Sequence, residues 1–133
     1  MILKFLKILF VLVVASTAAT GQISTKEVER LLYKYEIKNP EIVLRIGILE
    51  SGRFKSKKAI KYNNIFGFET GVTHFKSYDE CILAYKNRVE SRIREGENYY
   101  KFLRRIKYAA DKRYIYKLKH VKIWVDTYMK LKQ

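Results

Sequence analysis

After the first twenty positions, apolar residues recur at spacings of three and four, as they do on helices that turn one face to a core. Val28, Leu31, Leu32 and Tyr35 form the first stripe. Ser24-Thr25-Lys26-Glu27 precedes it with the spacing of a capping box, so a helix is expected to about Tyr35. Asn39-Pro40 restarts the chain, because asparagine caps and proline suits a first helical position whose N–H has no partner. Ile42, Val43, Ile46 and Leu49, broadened by Ile48, then describe a helix apolar on several sides and therefore central. It runs into Glu50-Ser51-Gly52. Beyond that break Ser56 can cap a short turn carrying Lys57, Lys58, Ala59, Ile60 and Tyr62, which Asn63-Asn64 stops.

Ile65-Phe66-Gly67-Phe68 changes the pattern. It reads as a strand or a loop, with a very small hairpin returning through Val72, His74 and Phe75 as one form. Ser77-Tyr78-Asp79-Glu80 is a second capping box, followed by Ile82, Tyr85, Val89 and Ile93 at helical spacing. Arg88, Arg92 and Arg94 fall on other faces and read as solvated charge. Gly96 interrupts, and Tyr99, Tyr100, Phe102, Leu103 and Ile106 mark another helix. Asp111 is the expected cap of a last helix through Tyr114, Ile115, Leu118, Val121, Val125, Tyr128 and Met129. The elements add up to one mainly helical domain with a single irregular central excursion.

The first 21 residues have a different composition. Lys4 and Lys7 lie among apolar residues, Ile8 to Ala15 is wholly apolar, and small residues follow to Gly21. That order is the order of a secretory signal, and the apolar run is shorter than the roughly 20 residues that span a bilayer. The expectation is export to the periplasm or bacterial cell surface, with residues 1–21 as signal peptide, residues 22–133 as the domain, and no stable membrane insertion after cleavage. Cys81 is the one cysteine, so no intramolecular disulfide can form and the fold must rest on its core. Lysine and arginine number 28 against 13 acids, a formal net charge of +15, and a cleaved leader takes only Lys4 and Lys7 with it. A surface of that sign attracts polyanions. Export favours an acidic wall over nucleic acid, for which no recognised helix, glycine-rich loop or repeat speaks.

Glu50 is the candidate for chemistry. It ends an apolar run, where partial desolvation disfavours the charged carboxylate, and it precedes a loop rich in amides and aromatic rings. On the residues alone a structural glutamate is the stronger reading at this point. Cleaving a sugar polymer needs such an acid, since the glycosidic oxygen leaves only when protonated. Phe66, Phe68, Tyr108 and Tyr114 could face the apolar surfaces of sugars, or pack in the core. His74 and His120 lack companions at metal-ligand spacing, so neither a metal nor a cofactor is expected.

Ile48-Leu49-Glu50-Ser51-Gly52, then Asn63-Asn64-Ile65-Phe66-Gly67, Phe75-Lys76-Ser77-Tyr78-Asp79-Glu80 and Tyr108-Ala109-Ala110-Asp111 through Leu118 together resemble the bacterial cell-wall glucosaminidase family, the flagellar-type peptidoglycan hydrolases. The resemblance covers residues 24 to 123. It implies a lysozyme-like α+β fold, predominantly helical with at most a vestigial β excursion, acting on the β-1,4-linked amino-sugar strands of peptidoglycan. It places Glu50 on the general acid, Tyr108 on a tyrosine of the catalytic cleft, and Asn63, Asn64 and Phe66 on positions that shape the cleft and its substrate contacts, with Phe68 and Tyr114 beside them. Two departures stand out. Arg53-Phe54 replaces a tryptophan-glycine pair found in several members, and the excursion that can carry a second acid shrinks to Phe68 to His74. Glu69 is the nearest candidate for that acid. A non-catalytic peptidoglycan-binding module, and a muramidase or lytic transglycosylase using the same single acid, are the rival readings.

Overall fold

A computed structural model describes residues 22–123, so the leader and the distal positions Val125, Tyr128 and Met129 lie outside the described residues. Among the described residues six α-helices follow one another: α1 (Thr25–Lys34), α2 (Pro40–Ser51), α3 (Lys57–Tyr62), α4 (Tyr78–Arg88), α5 (Tyr99–Arg105) and α6 (Tyr114–Lys119), with a 3₁₀ turn at Glu90–Arg92. No strand occurs among the described residues. The stretch between α3 and α4 takes the loop form of the two that its sequence allowed, its backbone groups at Phe68, Val72 and Phe75 bonding to the side chains of Asn64, Arg88 and Asn63.

The caps explain most of the boundaries. Ser24 Oγ accepts the Glu27 N–H at 3.1 Å, as its box requires. The Glu27 carboxylate, however, turns to Arg30 at 2.6 Å instead of returning to the cap. In the second box Ser77 Oγ accepts from Glu80 N–H, while the Glu80 carboxylate accepts from the N–H of Lys76, one residue further out. Asn39 does occupy the position before α2, but in a left-handed conformation and with no side-chain cap, leaving Pro40 to start the helix. Asp111 sits two residues before the N-cap of α6, which is Arg113. It still fixes that end, its carboxylate accepting the Arg113 N–H at 2.8 Å.

The core is built around α2, which packs against α1 and α6 while α1 also meets α4. Val43, Leu44, Ile46, Gly47 and Ile48 are all buried, leaving Glu41 and Arg45, paired at 3.0 Å, as a narrow polar edge of the helix. Gly47 is needed for space. A Cβ there would stand 3.1 Å from the Phe54 ring and 3.5 Å from the Phe66 ring, and both rings are in the core. Phe54 reaches that place through a strained reversal, with positive φ at Gly52, Arg53 and Phe54 in succession. Ser51 holds the reversal, donating to Gly47 O at 2.5 Å and accepting the Phe54 N–H at 2.7 Å. Arg45 and Arg53 then draw the C-terminal segment onto α2 by donating to Lys119 O and Lys122 O. No helix among the described residues is long and apolar enough to cross a membrane.

Candidate active site

Glu50 lies in the last turn of α2, and its side chain reaches solvent. The carboxylate rests over Gly67: a Cβ on that glycine would stand 3.1 Å from Glu50 Oε2 and 3.5 Å from Glu50 Cβ. With φ +67, Gly67 occupies a conformation that also favours glycine. The loop can therefore lie against the acid only because position 67 has no side chain.

Burial on the protein side raises the Glu50 pKa above the ordinary carboxylate value. The hydroxyl of Tyr114 opposes this by favouring the carboxylate, and the charge of Glu69 adds to the rise. The carbonyl end of α2 also disfavours negative charge. Tyr114 is 7% exposed, and its hydroxyl, though it interacts with Glu50, completes no hydrogen bond of normal geometry. Such an orphaned donor is poised to bond once the acid or a substrate moves slightly. Tyr108, with its ring 5.8 Å from that of Tyr114, also feels the Glu50 charge, and burial together with that charge raises its hydroxyl pKa well above normal.

The loop is held from within. Asn64 is buried, its Nδ2 donating to Phe68 O at 2.8 Å and its Oδ1 accepting the Phe68 N–H at 2.9 Å. Asn63, left-handed at the end of α3, donates from Nδ2 to Phe75 O at 2.9 Å, and the Phe75 N–H donates to Tyr62 O. Both amides thus bind backbone and shape the loop. The Cys81 thiol meets the backbone of Ile65 and Phe66 beneath it, and burial pushes its pKa up to about 11, which keeps it an inert thiol. Phe66 is 2% exposed and packs on Tyr85 at 4.6 Å, so its ring presents no face to a sugar here. Phe68 is half-buried.

A groove of about 230 Å³ runs along the outer side of the loop, lined by Lys58, Tyr62, Asn64, Phe68, Glu69, Thr73 and His74. Phe68 and Glu69 follow directly on Gly67, the residue under Glu50, while Glu50 itself is not part of the lining. Glu69 is 81% exposed at its side chain and only loosely paired with Lys58, at 4.0 Å. His74 lies flat on Tyr62, with ring centroids 3.9 Å apart.

The roles of four residues escaped the sequence reading. Arg88 is no solvated charge: its guanidinium lies 5.0 Å from the Phe68 centroid and 5.7 Å from that of Phe75, and donates to Val72 O at 2.8 Å. It clamps the excursion from behind. Tyr85 and Tyr99 share a buried hydroxyl–hydroxyl bond at 2.8 Å, which orders the aromatic cluster behind Tyr108. Glu90 is a buried acid with a raised pKa that accepts the Lys38 N–H and ties the connector between α1 and α2 to the 3₁₀ turn. Arg88 is a third basic residue on a helical face, and no sequence periodicity separates a cation that stacks on rings from one that faces water.

No curated relative and no solved structure matches this chain. One family model does, over residues 25–123, which takes in α1 through α6 and every site residue named above; its description is mannosyl-glycoprotein endo-beta-N-acetylglucosaminidase. An exposed acid of raised pKa, backed by tyrosine hydroxyls and set beside a groove, is the equipment such an activity calls for. By that match the chain belongs to the glucosaminidase family and is a glycoside hydrolase that cuts glycan strands.

Proposed function

We propose that the protein is an exported endo-β-N-acetylglucosaminidase that cleaves the β-1,4 amino-sugar strands of peptidoglycan, with Glu50 as its general acid. The observation that carries this reading is the Glu50 carboxyl: open to solvent, seated on Gly67, and kept more readily protonated by desolvation. Charge selects the polymer. A chain with 28 basic and 13 acidic residues favours an anionic glycan, and peptidoglycan carries carboxylates on its peptide stems whereas a mannose-rich glycan does not.

In the proposed mechanism Glu50 donates its proton to the glycosidic oxygen as the bond to the anomeric carbon breaks. Positive charge then develops on the sugar ring, stabilised by the Glu50 carboxylate left behind. Glu69 serves as the base that takes a proton from the attacking water, since it borders the groove and its charge is felt at Glu50. An inverting pair of this kind works at about 6.5–9.5 Å, a separation that leaves room for the water. The hydroxyls of Tyr108 and Tyr114 orient the acid and the acetamido group of the sugar.

Mass analysis of the products from defined peptidoglycan tests both the bond and the mechanism. The expected products are hydrated fragments with new N-acetylglucosamine reducing ends, and Glu69→Gln is expected to lower kcat about 10²-fold or more. New muramic-acid ends or anhydro sugars overturn the assignment of the bond or of the hydrolytic step. Undiminished turnover by Glu69→Gln removes the second acid and leaves attack by the substrate's own acetamido oxygen. Binding without any cleavage marks a wall-binding module.

A further inference from the structure

The segment from Arg53 to Tyr62 carries Arg53, Lys55, Lys57, Lys58 and Lys61 and no acid. Lys55, Lys57, Lys58 and Lys61 are all exposed. Ala59 anchors α3 by its buried face, so the lysines stand on the outside of a short rigid element rather than on a free loop. Several basic residues elsewhere do stand beside acids: Arg30 by Glu27, Lys34 by Asp79, Arg105 by Glu97 and Lys117 by Asp111. Along α3 the one ion pair is the loose contact of Lys58 with Glu69, at 4.0 Å. Lys58 lines the groove. Lys61 lies 5.6 Å from the centroid of the Tyr62 ring, which lines it too. A concentrated positive edge, met by an acid only in the loose contact with Glu69, therefore borders the groove.

We propose that the α3 lysines, Lys57, Lys58 and Lys61, bind the carboxylates of the peptide stems attached to the glycan strand, so that the enzyme prefers strands whose stems are negatively charged. This deepens the peptidoglycan reading and rests on it. The occupant follows from the chemistry of the two walls. Tyr62, stacked with His74, and Phe68 offer ring faces to a sugar, and Thr73 offers a hydroxyl, whereas the lysine edge offers only cations. A glycan alone satisfies the first wall and not the second. A strand bearing carboxylates at regular intervals satisfies both, and the lysines then set the register in which a linkage reaches Glu50.

The test compares soluble glycan–peptide fragments having free carboxylates with the same fragments after conversion of those carboxylates to neutral amides. At low ionic strength the parent enzyme is expected to show kcat/KM about ten-fold higher on the charged fragments, the combined scale of two or three solvent-exposed ion pairs. The difference should lie in KM and shrink as salt is added. In the Lys57→Gln/Lys58→Gln/Lys61→Gln protein the ratio between the two substrates should fall to about one, with an unchanged melting temperature showing that the fold is intact. Equal rates of the parent on both fragments overturn the proposal while leaving the glucosaminidase reading standing, as does a variant that keeps the parental ratio. Cleavage of neither fragment by the parent overturns the peptidoglycan reading and this proposal with it.

Discussion

Two residues beside Glu50 act on it in ways that separate cleanly, Tyr114 on its acidity and Gly67 on its position. The Tyr114 hydroxyl favours the carboxylate form and so holds the Glu50 pKa below the value that desolvation alone sets. Removing it lets the pKa rise. Tyr114→Phe is therefore expected to shift the alkaline limb of the kcat/KM profile to higher pH, because the acid stays protonated further up the scale. Stability should change little, since this hydroxyl has no completed hydrogen bond to lose. A limb that stays in place or moves down shows that the tyrosine does not act on the acid. Gly67 controls position instead of charge. Gly67→Ala forces a Cβ to 3.1 Å from Glu50 Oε2 at a φ of +67, and is expected to cost about 1 kcal/mol or more in stability and at least ten-fold in kcat. Wild-type kcat in that variant contradicts the placement of the acid over the loop.

At the scale of elements, the loop that lies against Glu50 depends on Asn64. Its side chain is buried and its two bonds to Phe68 are partly so, and Asn64→Ala leaves a backbone N–H and C=O without their partners. A loss of about 1–3 kcal/mol is expected in denaturant unfolding, with a larger fractional loss of activity because the loop positions Gly67. Unfolding unchanged from the parent overturns the structural role of the amide. How much of this was legible in the sequence varies from element to element. The starts of α1, α3 and α4 were, because Ser24, Ser56 and Ser77 cap locally and leave a signature within four residues. Burial of α2 was legible from its apolar density. The destinations of the Asn63 and Asn64 amides were not, because Phe75 and Phe68 become their partners only when the loop closes. The same reason hid the Arg88 clamp, whose partners Phe68, Val72 and Phe75 lie outside its own helix. Phe66 was open to either role in sequence, and its burial follows from the space at Gly47.

Over the whole molecule, a single helical core carries a strongly basic surface, and Glu50, the proposed acid, stands where the most buried helix emerges from that core. The likeness to cell-wall glucosaminidases was carried in sequence by short ordered motifs, and α2, the Asn63–Phe68 loop and the turn before α6 bring three of them around Glu50. What spacing alone did not contain was the loose pairing of Glu69 with Lys58 or the groove between α3 and the excursion, both of which arise from how α3 sits beside that loop. Because the Glu50 pKa is raised on folding, the folded chain binds its proton more tightly than the unfolded one, and stability falls as pH rises from the ordinary carboxylate value through the raised one. A neutral amide at position 50 removes that penalty, so at neutral pH Glu50→Gln should melt no lower than the parent.

Glu50→Gln assayed on purified peptidoglycan at the parental pH optimum is the most direct measurement of the central claim. The account predicts a fall in kcat of about 10²–10⁴-fold with binding to the wall and melting temperature retained. Release of new reducing ends at the parental rate by that folded variant contradicts it.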